Sequence, residues 1–122
     1  LKLRAAVTTL TGHLDAVTGV RAMHFLLIYD IAPDYLIRRG QFRREHLVYA
    51  QVAVARGELV LGGAVGDPAD GALLLFQGDT DAAARAFAEG DPYVRNGVVV
   101  GWTIKPWATV VGATASQQVA LD

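Results

Sequence analysis

The sequence contains no cysteine, and that one absence removes disulfides, thiolate nucleophiles and thiolate metal sites together. It also lacks an excess of either charge. Eleven basic side chains against 12 acidic ones leave a formal charge of -1, too even a balance for the polybasic surface that a nucleic-acid backbone requires. Nucleic acid is therefore not an expected partner. Long apolar runs are missing as well: "HFLLIY" and "GALLLF" stop far short of the eighteen or so residues of a membrane span, so no membrane is expected either. The glycine-bearing stretches "GELVLGG" and "GAVGDPADG" have neither the strand-to-helix spacing of a dinucleotide fingerprint nor the Gly-Lys-Ser/Thr of a phosphate loop. His13, His24 and His46 are too dispersed for a ligand pair on one helix. No metal and no cofactor is expected, and a cysteine-free chain fits a reducing cytoplasm.

What is present is one domain's worth of apolar sequence, 52% of 122 residues. Residues 1 to 22 read as an N-terminal extension without the continuous apolar segment of a secretory signal, because His13, Asp15 and Arg21 interrupt it. Residues 23 to 111 form the expected domain, and residues 112 to 122 a small, polar C-terminal tail. "HFLLIYDI" (24 to 31) is a buried strand ended by Ala32, Pro33 and Asp34. From Tyr35 to Arg56 there is no proline, and Phe42, His46, Tyr49, Ala50 and Ala53 share one helical face that Gly57 closes. Gly40 weakens the first turn enough to suggest a separate short piece there. "ELVLGGAV" (58 to 65) and "ALLLFQ" (72 to 77) are strands joined by the turn-rich "GDPADG", with Gly62 and Gly63 leaving room for a close approach. Asp79 or Thr80 caps the alanine-rich helix "DAAARAFAEG", and "GVVVGWTIKPW" (97 to 107) is a last strand ended by Pro106.

Strand, helix, strand, strand, helix, strand, with right-handed crossovers, is a ferredoxin-like βαββαβ α+β fold: a four-stranded antiparallel sheet with both helices on one face. The other sheet face is left bare and apolar. A second copy packed sheet to sheet would cover it, so a homodimer is expected.

His46 lies in the buried stripe of the first helix and needs a hydrogen-bond partner for at least one ring nitrogen. Asp91 stands just before the last strand, which runs back beside that helix. A carboxylate there fixes the imidazole tautomer for proton transfer, making His46 and Asp91 a candidate catalytic pair. The competing readings are structural. His46 can be a core histidine bonded to a backbone carbonyl, and Asp91 followed by Pro92 can be a turn initiator. Tyr93 and Trp102 read as core aromatics before substrate platforms. Arg43, one turn before His46, reads as a solvated face or as a contact for an anionic substrate group.

"RREHL" before a helix ending at Gly57, then "ELVLGGAVGDPADGALLLF", "DPYVRNGVV" and "KPW", resemble the YciI-like (YCII-related) family from Met23 to about Val111. The resemblance implies a ferredoxin-like α+β domain that dimerises into a barrel. It also implies a His and Asp active-site pair at His46 and Asp91, with Arg43 as the arginine of the motif. The family's activity is mostly unassigned, and lyase-type elimination on chlorinated hydroxyaromatic compounds is the clearest suggestion. The extension before Met23 departs from the family pattern. The leading expectation is thus cofactor-independent general acid/base chemistry, elimination or isomerisation, on a small phenolic or chlorinated aromatic molecule. His46 and Asp91 would be catalytic, with Arg43 and Tyr93 as substrate contacts. The rival is a non-catalytic small-molecule binding or dimeric interaction module. The fold is shared with antibiotic-biosynthesis monooxygenases, but no motif here supports oxygen chemistry.

Overall fold

The computed structural model describes residues 22–121. The N-terminal extension expected over residues 1 to 22 lies, apart from Ala22, outside the described residues. From there the chain forms β1 (Met23–Ile31), α1 (Tyr35–Ala55), β2 (Leu59–Val65), β3 (Gly71–Gly78), α2 (Ala82–Gly90), the single turn α3 (Pro92–Arg95) and β4 (Val99–Trp107). The sheet is four-stranded and antiparallel in the order β2-β3-β1-β4. This is the strand order of a ferredoxin-like fold, with β1 and β3 central.

Alternation along the strands assigns the faces. Leu27 and Tyr29 of β1, Leu74 and Phe76 of β3 and Leu59 of β2 are buried in one core with Ala53 of α1 and Ala84, Phe87 and Ala88 of α2. Fully burying each large side chain of this set contributes about 1.5–3 kcal/mol. Leu26, Ile28, Leu61, Leu73 and Leu75 alternate with those residues or pair across strands with one another, and so project from the opposite face.

α1 is unbroken through Gly40, because its Phe42, Tyr49, Ala50 and Ala53 pack against the core and offset the low propensity of one glycine. It ends in a Schellman arrangement: the Gly57 N–H donates to Val54 O, the Glu58 N–H to Ala53 O, and Gly57 takes φ +78°. At α2, Asp81 rather than Asp79 or Thr80 occupies the N-cap. Its carboxylate accepts from Arg85, and Thr80 Oγ1 takes the Ala82 N–H instead. β4 runs through Pro106 to Trp107, since on an edge strand a residue without an N–H costs no ladder bond. The tail folds back on itself: Thr109 O accepts from Gln117 N–H, Val110 O from Val119 N–H, and Thr109 Oγ1 from Ser116 N–H, with His24 Nδ1 2.7 Å from the same hydroxyl oxygen.

Tyr49 joins the two long helices. Its hydroxyl donates to Phe87 O at 3.0 Å and its ring packs on Phe87. A Cβ added at Gly90 would run into that hydroxyl, so the last residue of α2 must be glycine for α1 to lie this close. Gly90→Ala is expected to lower stability by about 1–3 kcal/mol, the cost of overpacking a fixed contact, read as a reduced urea midpoint at unchanged m-value.

Candidate active site

Asp91 is a fully buried carboxylate, 0% exposed, at the junction of α2 and α3. An ionised carboxylate in that position is costly unless its oxygens are met by donors. Both are. Oδ1 accepts the Tyr93 N–H at 2.9 Å, capping the α3 turn with Pro92 behind it, and lies 2.8 Å from His46 Nδ1. Oδ2 accepts the Tyr29 hydroxyl at 2.6 Å. With Tyr93 and Tyr29 both donating to it, the carboxyl acts as acceptor throughout, so His46 Nδ1 carries the proton and donates. Nε2 makes no hydrogen bond among the described residues.

The imidazole is fixed on its face as well as its edge. The Tyr93 ring lies parallel to it, with centroids 3.9 Å apart and planes 2° from coincident. Tyr35 packs edge-on against Tyr93 and carries the Arg39 guanidinium over its own ring. Burial, then the neighbouring Asp91 charge and hydrogen bond, push the Tyr29 phenol far above its ordinary range, so it keeps its proton and remains a donor. Burial also raises Tyr93, against the pull of the Arg43 and Arg39 charges.

His46 opens into a cavity of about 460 Å3 between α1 and the sheet. The cavity exists because the floor is made of small side chains. Gly62 pairs with Leu74 and Ala64 with Ala72, all on the helix-facing side, where larger residues would fill the space. Arg39, Arg43, His46 and Ala50 form the roof along one face of α1, and Tyr29, Tyr35 and Tyr93 close one side. One end is therefore apolar and the other carries guanidinium, imidazole and phenol groups.

The structure brings together His46 and Asp91, and places Arg43 and Tyr93 on the wall of the same cavity. Trp102 is elsewhere, packed against the core beneath Arg85. Sequence reasoning missed Tyr29 and Arg39. Period-two alternation from Leu27 already placed Tyr29 on the helix-facing side, and Arg39 sits one helical turn before Arg43. Neither signal says that the side chain ends at Asp91 or in a cavity.

An α+β domain of ferredoxin-like strand order, with a histidine and a buried carboxylate at one end of an interlayer cavity, is the class these features define. The chain belongs to the YCII-related domain family, whose model matches residues 23–108. No curated protein matches it. Among solved structures it is similar to 5-chloro-2-hydroxyhydroquinone dehydrochlorinase from Burkholderia phenoliruptrix, in complex with 2,5-dihydroxybenzoquinone. The TM-score is 0.58 at 22% identity, over 70% of this chain and 93% of that one. At that identity the likeness establishes the fold, and the chemistry of the site rests on its own residues.

Removing the Tyr29 hydroxyl leaves one oxygen of a buried carboxylate without its donor. Tyr29→Phe is expected to lose about 1.5–3 kcal/mol of stability near neutral pH. The sign of the alkaline effect follows from the raised phenol. Below about pH 10 both folded and unfolded chains hold the Tyr29 proton; above it only the unfolded chain releases it, so stability falls as pH rises. Urea unfolding at pH 7 to 11 should show a shallower alkaline decline in Tyr29→Phe than in the wild type.

Proposed function

We propose that the protein is a cofactor-independent enzyme in which His46 is the general acid/base, Asp91 orients it, and Arg43 and Tyr93 contact a small hydroxyaromatic substrate. The observation that carries this reading is the pairing of Nδ1 with a fully buried carboxylate in a histidine that lines the cavity and whose Nε2 has no hydrogen bond among the described residues. A histidine held in that tautomer accepts a proton at Nε2, and the buried carboxylate stabilises the imidazolium that results. In an elimination, Nε2 takes a proton from the substrate, the freed electron pair forms a new double bond, and a halide leaves with its bonding pair, for a net loss of one HX. Without a leaving group the proton returns at another carbon and the outcome is isomerisation. The likeness in fold to a 5-chloro-2-hydroxyhydroquinone dehydrochlorinase in complex with 2,5-dihydroxybenzoquinone supports the substrate class.

His46→Ala should lower kcat/KM by about a hundred- to ten-thousandfold on whichever of a panel of chlorinated and unchlorinated hydroquinones is turned over, followed by chloride release and absorbance. Saturable binding with no turnover by the wild type, or an undiminished rate in the variant, would instead identify a non-catalytic binding module.

Two copies of the chain are further proposed to pack through their bare sheet faces as a dimeric α+β barrel. In support, Leu61 is 65% and Leu73 39% exposed on that face, beside Leu26, Ile28 and Leu75, and a contiguous patch of this kind is rare on a monomer. Sedimentation equilibrium is expected to give twice the 13.0 kDa chain mass, and Leu61→Glu with Leu73→Glu should shift the species to monomer.

A further inference from the structure

One residue of the cavity wall, Arg39, has no role in the His46 chemistry proposed above. Arg39 and Arg43, one turn apart on α1, both line the cavity. Neither has a carboxylate partner among the described residues, where the arginine ion pairs are Arg38 with Asp34, Arg56 with Glu58 and Arg85 with Asp81. Arg39 also lies over an aromatic face, its guanidinium carbon 5.5 Å from the Tyr35 ring centroid. Two cationic groups thus face one apolar-floored space without a counter-charge.

Tyr93 supplies an independent observation. It is only 4% exposed, it lines the same cavity, and its hydroxyl finds no acceptor among the described residues, the nearby Arg43 side chain being a donor toward it. Buried polar groups are rarely left in that state. Arg43 and Arg39 are near enough for both charges to act on that hydroxyl, but a guanidinium only donates, so neither can accept the phenolic proton. The missing group is an acceptor, and the two arginines require it to be an anion.

Resting on the reading of this cavity as the substrate site, we infer that its Arg39, Arg43 and Tyr93 end is a carboxylate subsite, so that the ligand is an aromatic acid rather than a neutral phenol. The carboxylate oxygens take N–H groups from the two arginines and the O–H of Tyr93. The planar ring lies over Gly62, Ala64 and Ala72, where no larger side chain obstructs it. Because Tyr93 is stacked on His46, the same residue that binds the acid also sets the imidazole beside the ring. Arg39 is in this arrangement a specificity residue.

The test compares one ring with and without the acid group. Calorimetric titration of the full chain at pH 7 with 2,5-dihydroxybenzoate and with hydroquinone should show the acid binding at least about tenfold more tightly, as expected for charge-assisted pairing with arginine. That preference should weaken with added salt. Arg39→Gln and Tyr93→Phe, each shown to be folded by circular dichroism, should lose most of the acid's advantage, and Arg39→Gln should leave hydroquinone binding unchanged. These titrations read binding and not turnover, which separates this inference from proton transfer: a failed His46 catalytic role leaves the subsite standing. Equal affinity for the two ligands, absence of saturable acid binding, or unaltered acid binding in Arg39→Gln would overturn the subsite and leave the proton-transfer reading intact.

Discussion

The arrangement depends on one buried carboxylate. Asp91 is removed from water at the end of α2, where an uncompensated charge would destabilise the fold, and its oxygens are met from three directions. The Tyr93 N–H comes from its own turn, the Tyr29 hydroxyl from the centre of the sheet and the His46 imidazole from α1. Satisfying Asp91 therefore fixes the position of α1 and of the α3 turn relative to β1. The same hydrogen bonds determine which nitrogen of His46 is free. Capping of the α3 turn and orientation of the imidazole are here one set of contacts, so the reading of Asp91 as a turn residue does not exclude its pairing with His46. Asp91 caps a turn and holds the histidine.

The cavity follows from a second constraint, the mismatch between the two sides of α1. Phe42, Tyr49 and Ala53 pack into the core, and Tyr49 bonds the end of α2. On the adjoining face, Arg39, Arg43 and Ala50 stand over glycine and alanine at the β2 and β3 positions below them. The helix is also tied near both ends. Arg38 donates to the carbonyls of Gly97 and Asn96, and the Gly57 turn leads directly into β2. Held at these points, α1 cannot settle onto the small residues of the floor, and a space remains between them.

Placement in the YCII-related family and the structural likeness to a dehydrochlorinase agree with this architecture, but a fold shared at low identity accommodates many reactions. The chemical content lies in the gradient along the cavity, from apolar floor to imidazole, phenol and two unpaired guanidinium groups.

Local patterns made the fold class legible. The short apolar runs of "HFLLIYDI" and "ALLLFQ" bounded by turn signals, the proline-free helical stripe from Phe42 to Ala53 and the Gly57 stop signal each depend on neighbours within one element, and those neighbours are adjacent in the chain. The His46 and Asp91 pair was legible because a βαββαβ order returns the last strand beside the first helix, and because the flanking "RREHL" and "DPY" resemble a known family. The α3 turn was not, since its four residues have no periodicity and exist through a cap from Asp91. The extension of β4 through Pro106 depended on β4 being an edge strand, which only the assembled sheet decides. Tyr29 as the carboxylate's other partner, Arg39 on the cavity wall and the unmet hydroxyl of Tyr93 all involve residues from distant segments meeting at a point. By itself the sequence determined the four strands, the two long helices, their order and the pairing of His46 with Asp91. Only the tertiary structure decided how a buried charge is shared among strand, helix and turn, because that depends on distances no residue spacing along the chain encodes.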